Sequence, residues 1–394
     1  MRSNLEKSKC EQACDILNEL GLDSWLVWVR ETSQMVDPVL PLILSGDVVW
    51  QSALLFTRNG EKLAIVGNFD AGGIEVKNIY DRVIPYTQGI KEHLLAELNR
   101  IDPTKIGINF STDDVAADGM TLGMHILLKS YLEGTPYGNR LVSAEGLVQR
   151  LRGRKTPEEI NLVQKAVDIT EEIFRKAEHF VKPNQTEIEI YKLFHNEMNN
   201  YGVTNAWNED HNPAVDAGPN KEFGHAGPTD NKTKDSQLLH FDFGVRYKNY
   251  CSDIQRMFFF GHERDIPSEI QDAFEAVRDA IQAASEYIKP GRLGYEVDAI
   301  ARDYVKDAGY EEYQHALGHQ IGRHAHDGGV LLGPKWERYG DSILGSVEPG
   351  NLFTLELYVT TKNYGQVSLE EDIVITENGC RFLSHPQKKL ICIV

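Results

Sequence analysis

The stretch VKPNQTEIEIYKLFHNEMNNYGV (181–203) returns, altered but in step, as IKPGRLGYEVDAIARDYVKDAGY (288–310). Lys182-Pro183 maps onto Lys289-Pro290, and Gly202 onto Gly309, at one offset of 107 residues. In each copy a long helix ends at Lys-Pro, a second helix follows, and a glycine closes it. A period this long indicates a duplicated half-domain rather than a solenoid. Each copy is followed by two apolar, β-branched or aromatic runs around a short polar turn, the pattern of a β-hairpin. Two helix–helix–hairpin units are thus expected to face each other.

Both hairpins carry acids where strands should not. LLHFDFGVRYKNYCSDIQRMFFF holds Asp242 and Asp253; NLFTLELYVTTKNYGQVSLEEDIVIT holds Glu356 and Glu370. Side chains alternate along a strand, so Asp242 points away from the face of Leu239, Phe241 and Phe243. Symmetric pairing around Tyr247–Lys248 predicts Asp242 opposite Asp253, and folding back around Asn363 predicts Glu356 opposite Glu370. Opposed Cβ atoms lie about 4.5–5.5 Å apart, where like charges repel. Glu356 stands between Leu355 and Leu357, and a buried carboxylate needs a partner. Two such conflicts ask for a cation. Carboxylates with an imidazole suit Mn, Fe, Co or Zn. The histidine is expected from HALGHQIGRHAHDGG between the hairpins, which offers His315, His319, His324 and His326. Four carboxylates and one histidine can hold two ions, an arrangement that activates water and polarises a carbonyl.

The rest of the chain limits the alternatives. A length of 394 residues leaves room for about two or three domains. The net charge of −18 opposes nonspecific binding to nucleic acid or an anionic membrane, and neither partner is expected. No run of about 20 apolar residues marks a membrane span, and the N-terminus reads as an amphipathic helix rather than a signal peptide. Five cysteines, without zinc-type spacing, read as reduced thiols of a cytoplasmic protein. Cys251 shares the Asp253 face and is taken as a small packing residue. Residues 1–150 alternate helical and strand patterns, a small α/β domain, with SALLFTR and KLAIVG joined at Asn59-Gly60. The catalytic domain is placed at 151–394. Thr156 is expected to cap its first helix, with Pro157 in the first position and Glu158–Glu159 in the first turn.

The ordered set Asp242, Asp253, His319, Glu356, Glu370 resembles the pita-bread metallopeptidase family, which includes methionine aminopeptidase, aminopeptidase P, prolidase and the metal-free creatinase. The likeness runs over about 155–378, through RKTPEEI, PTDNK, FDFG, SDIQR, GHQIG, FTLE and LEEDIVIT. It implies an α/β N-terminal domain followed by an α+β pita-bread domain with an internal pseudo-two-fold repeat. It also implies two divalent ions, manganese foremost and cobalt, zinc or iron as alternatives. By resemblance Asp242 chelates one ion, Asp253 and Glu370 bridge both, and His319 and Glu356 complete the second. A water between the ions is the nucleophile, with Glu356 as general base and then acid. His225 matches a family histidine near the scissile bond, and His315 and His326 match histidines that line the substrate pocket and help stabilise the tetrahedral intermediate. The implied reaction is hydrolysis of the bond before proline in small peptides, as an Xaa-Pro dipeptidase or aminopeptidase, by a homodimer. A same-fold hydrolase of a non-proline amide or amidine is the alternative, and a non-catalytic binding module a third reading.

Three positions depart from the family pattern. Leu357-Tyr358 follows Glu356 where Pro-Gly is common, Arg323-His324 replaces an apolar–acidic pair, and Ser368 stands where an arginine often helps bind the substrate's carboxyl end. Arg323 is expected to supply that cation. Glu371 is read as solvated or supporting, Asp372 as supporting a ligand, and His324 as structural or solvated. His211, His240 and His262 are read as ordinary. Trp25, Trp28 and Trp50 are read as core or oligomer contacts.

Overall fold

The structure is a computed structural model and describes residues 2–44, 46–219 and 226–394. The chain divides into two compact units, Met1–Arg152 and Gly153–Val394.

In the first unit, β1 (Ser24–Val29), β2 (Ser52–Thr57), β3 (Lys62–Gly67), β4 (Arg82–Tyr86), β5 (Ile106–Ile108) and β6 (Leu141–Ser143) form one sheet in the order β4-β3-β2-β1-β5-β6. Its central strands are buried on both faces, and their alternation feeds two cores. Trp25, Val27, Leu54, Phe56, Ala64 and Val66 pack with helices α1 (Arg2–Leu20), α2 (Leu40–Ile43), α3 (Asn68–Glu75) and α6 (Glu145–Gly153). Leu26, Trp28, Ala53, Leu55, Leu63 and Ile65 pack with α4 (Lys91–Ile101) and α5 (Leu122–Tyr131). The turn at Asn59-Gly60 joins β2 and β3 as the sequence predicts, with Gly60 at φ +90°.

The second unit repeats one motif. α7 (Pro157–Phe180) and α8 (Glu187–Tyr201) precede the first hairpin, and α9 (Ser268–Tyr287) and α10 (Gly294–Asp307) precede the second. Thr156 caps α7 as expected, in a box closed by Glu159, with Pro157 at the first position. Gly202 ends α8 in a left-handed conformation, and Gly309 does the same just beyond α10. Strand β7 (Thr204–Asn205) lines up with β10 (Val245–Tyr247) and β11 (Tyr250–Cys251). Strands β8 (Ala214–Ala217), β9 (Leu238–Phe243), β12 (Ile254–Phe260) and β16 (Ile391–Ile393) make a second sheet, ordered β16-β12-β9-β8. β13 (Leu352–Thr360), β14 (Gln366–Ile375) and β15 (Cys380–Phe382) make the third. α9 buries Ile270, Phe274, Val277 and Ile281 in a core shared with Phe353, Leu355, Leu357 and Leu369, the faces of β13 and β14 that bear no acids of the site. Phe174, Phe194, Phe241 and Phe243 cluster in the same way on the first half.

The second hairpin pairs Glu356 with Glu370, the register that folding back around Asn363 predicts. The first does not pair as expected. Asp242 lies opposite Gln255, and Arg246 opposite Cys251, because the chain reverses at Lys248–Asn249 rather than at Tyr247–Lys248. Both turn residues take positive φ (47° and 69°), the demand of a two-residue type I′ turn. A bulky aromatic such as Tyr247 is costly in that conformation, whereas Asn249 tolerates it. The slip is by two residues along the strand, so Asp253 keeps the face of Asp242 and becomes its diagonal neighbour.

The segment joining the two halves is pinned from behind. Lys155 Nζ meets Asp327 Oδ2 at 2.9 Å, with both side chains almost fully buried. Asp327 Oδ1 also accepts the His324 backbone N–H at 3.3 Å. Removing one member of such a pair strands the other. Lys155→Met is expected to cost about 3–5 kcal/mol in denaturant unfolding, and Lys155→Met with Asp327→Leu distinctly less. Equal stability of the single variant and the parent chain would contradict this.

Candidate metal centre

His319 is positioned by the edge of β13. Thr354 N donates to His319 O (3.0 Å) and Glu356 N to Leu317 O (2.7 Å), so residues 317–319 run as an added strand. The approach is close enough that a Cβ on Gly318 would lie 1.9 Å from Thr354 O. His319, Glu356 and Glu370 thus come from three neighbouring extended segments, and Asp242 and Asp253 from the other hairpin.

The imidazole is aimed by its other nitrogen. His319 Nδ1 faces Gln320 O at 3.4 Å. A carbonyl only accepts, so Nδ1 carries the proton and Nε2 presents a lone pair. That lone pair lies 3.5 Å from Glu356 Oε1, 3.8 Å from Asp253 Oδ2 and 4.0 Å from Glu370 Oε1. One ligand atom from each of Asp253, His319 and Glu370 lies within 4.8 Å of the others. Glu370 Oε1 is buried and meets no hydrogen-bond donor among the described residues. Carboxylate and imidazole ligand atoms converge here, and a divalent cation fits that donor set.

The electrostatics carry the same sign. Burial, then Asp242, Asp372 and Glu356, push the Asp253 carboxyl well above the carboxylate range. Burial, then Asp253, Glu356 and Asp242, do the same to Glu370. Burial and Asp242 push Glu356 up to about 8. Burial and His326 push His319 down to about 3. Every group is driven toward its neutral form, the state that a bound cation reverses.

Support comes from residues behind the acids. Asp372 Oδ2 accepts the Asp253 backbone N–H at 3.1 Å, the supporting place expected of it. Glu371 is not solvated: it is 1 % exposed and forms a two-pronged pair with Arg256 (3.0 and 3.1 Å). Arg256 in turn donates to Glu370 O at 3.1 Å. Gln255 Nε2 donates to Glu356 Oε2 at 3.2 Å. Its Oε1 accepts from Ser368 Oγ (2.5 Å) and faces His240 Nε2 (3.0 Å), while His240 Nδ1 faces Asp216 Oδ2 (3.0 Å). The position that lacks an arginine is therefore filled: Ser368 is buried against the amide that holds Glu356. His240, read from sequence as ordinary, belongs to this buried network.

The other expected residues separate. The His326 ring stands 4.2 Å from that of His319, edge to face. His315 packs between Tyr313 and Tyr358, and burial pushes it down to about 4. His225 lies outside the described residues. The Arg323 guanidinium stands 5.5 Å over the Tyr250 ring. A cleft of about 430 Å³ opens beside Asp242 and Asp253, and its walls include Trp207, His211, Arg246, His324 and His326. Arg323 is not among its lining residues; Arg246 is. His211 and His324, read as ordinary or structural, also line it. Cys251 is fully buried, its thiol pushed up to about 12 by burial, as suits packing.

Comparison with known proteins identifies the family. Residues 161–377 match the model of metallopeptidase family M24. A Bacillus subtilis (strain 168) protein described as "Uncharacterized peptidase YqhT" is 33% identical over 389 residues, 98% of this chain and 100% of that one. Among solved structures, an Xaa-Pro dipeptidase from Bacillus anthracis superposes with a TM-score of 0.75 at 23% identity, covering 98% of this chain and 99% of the other. An X-Pro aminopeptidase from Thermotoga maritima gives 0.71 at 22% identity, covering 98% and 99%. The chain belongs to metallopeptidase family M24, has the pita-bread fold in its C-terminal unit, and is a metallopeptidase dependent on divalent metal.

The raised carboxyls give the metal-free protein a defined pH response. A carboxyl raised in the folded state stabilises it at low pH, and that contribution is lost as pH climbs toward the folded value. The depressed histidines act only below their ordinary value of 6.5. Between pH 6.5 and about 8 the raised Glu356 carboxyl is still losing its contribution while these two histidines no longer act. The melting temperature of chelator-treated protein should fall across this window, and saturating Mn²⁺ should abolish or invert the fall. A flat profile without metal would contradict the buried charge cluster.

Proposed function

We propose that this metallopeptidase hydrolyses the peptide bond preceding proline, as an Xaa-Pro dipeptidase or aminopeptidase, with two divalent ions, manganese foremost. The observation that carries the reading is the convergence of Asp253, Glu356 and Glu370 on the lone pair of His319. Asp253 and Glu370 would bridge the ions, Asp242 would hold one, and His319 and Glu356 the other. Bound there, the ions supply an activated water and polarise the scissile carbonyl. The likeness to structures titled Xaa-Pro dipeptidase and X-Pro aminopeptidase supports the substrate class.

The chain's own residues account for the proton path. Gln255 fixes Oε2 of Glu356, which leaves Oε1 directed to the His319 side. From there Glu356 takes the water's proton and delivers it to the departing proline nitrogen. His326 stands beside His319 on the cleft wall, from where it would donate to the oxyanion; for His315 and His225 the support is the family resemblance alone. A bond to proline offers no N–H to grip, and a site that works through the carbonyl does not need one. The proposal includes cytoplasmic residence, in keeping with five free thiols. It also includes a homodimer, for which the exposed Phe69, Val76, Leu122 and Ile126 of the first unit offer apolar surface.

The test pairs metal content with turnover. Asp253→Ala and Glu370→Ala are expected to lose both bound Mn²⁺, by elemental analysis, and hydrolysis of Xaa-Pro substrates. Glu356→Gln should lose at least about 100-fold in kcat. Full activity in either alanine variant, or activity confined to Met-peptides or creatine, would sink the reading.

A further inference from the structure

We propose that Arg246 binds the free C-terminal carboxylate of the substrate, which makes the site selective for dipeptides over longer chains; this rests on the Xaa-Pro reading above. Arg246 is the one arginine or lysine that lines the cleft among the described residues. Its place follows from the corrected register. It lies directly opposite Cys251, and Cys251 is two residues from Asp253, so Arg246 stands on the acid-bearing face of the hairpin.

The guanidinium is already held. It donates to Arg323 O at 2.6 Å, Ala206 O at 2.8 Å and Asn205 O at 3.4 Å. These three acceptors are neutral carbonyls, and Arg246 forms no ion pair among the described residues. A guanidinium has five N–H groups, so two remain, and its charge has no counter-ion. A fixed fork with spare donors is suited to a carboxylate, because little freedom is lost when the anion arrives.

The lengths agree. In a dipeptide the terminal carboxyl carbon is three bonds from the scissile carbonyl carbon, at most about 4 Å. Arg246 is displaced from Asp253 by two residues of strand, about 7 Å, within the reach of an arginine side chain. In a longer peptide an uncharged amide takes the place of that carboxylate, and the charge-assisted bond is lost. The single cation then faces a neutral group beside an acidic wall.

The experiment compares an Ala-Pro dipeptide with its C-terminal amide on the Mn²⁺-loaded enzyme. The readout is the ratio of the two kcat/KM values. The parent enzyme is expected to favour the free acid at least about tenfold, through KM. Arg246→Met should bring the ratio close to one, and Arg246→Lys should leave it between. Loss of the carbonyl clamp alone would lower both substrates together and leave the ratio intact, which would overturn the proposal. Equal use of acid and amide by the parent enzyme overturns it without any variant, and so covers an Arg246→Met chain that fails to fold. If the loaded parent enzyme cleaves neither substrate, the Xaa-Pro reading itself has failed, and the inference falls with it.

Discussion

Buried carboxylates facing one another around the lone pair of His319 are the constraint on which the catalytic unit turns. Glu356 and Glu370 are direct partners across an antiparallel pair, and Asp253 comes up against them from the other hairpin. In water such a group would separate. Here the strands that carry the acids are anchored by apolar residues on their opposite faces, Leu355, Leu357 and Leu369 on one hairpin and Phe241 and Phe243 on the other. Hydrophobic burial holds together what electrostatics pushes apart, and a divalent cation converts the conflict into a bonding site.

Duplication explains how one chain makes this arrangement. Each half supplies two helices that cover one face of a hairpin and leave acids on the other. The halves then add what differs between them. The second half brings the 317–319 segment and its histidine alongside β13. Buried hydrogen bonds fix the acids individually: Asp372 on the Asp253 backbone, Arg256 on the Glu370 carbonyl, and Gln255 on Glu356. Removing any of these moves a ligand, so the network behind the centre sets its geometry as much as the ligands do.

Local rules made much of this legible in the sequence. The cap at Thr156, the glycines that end the paired helices, and the register of the second hairpin follow from spacing and turn chemistry alone. Failures came where two backbone preferences compete or where tertiary contacts decide. The first hairpin reverses at Lys248–Asn249 because an asparagine tolerates positive φ better than Tyr247, a signal present in the sequence but outweighed there by a simpler symmetry. Parity put Glu371 on the face away from the ligands and left it supporting or solvated; Arg256 and Ser384 behind the strand, both distant in sequence, decide for the supporting place. His240 looked ordinary because its partners, Asp216 and Gln255, are distant in sequence. The Arg323 guanidinium lies over Tyr250, and the arginine among the cleft's lining residues, Arg246, comes from the first hairpin, whose turn sets its position.

The central claim is that these acids exist to hold two cations. Crystals of the protein soaked in MnCl₂ and measured at the manganese absorption edge test it directly. Two anomalous peaks about 3.5–4 Å apart should appear, both touching Asp253 and Glu370, one beside Asp242 and the other beside His319 and Glu356. No peak among these residues at saturating manganese, or peaks confined to the protein surface, would contradict it.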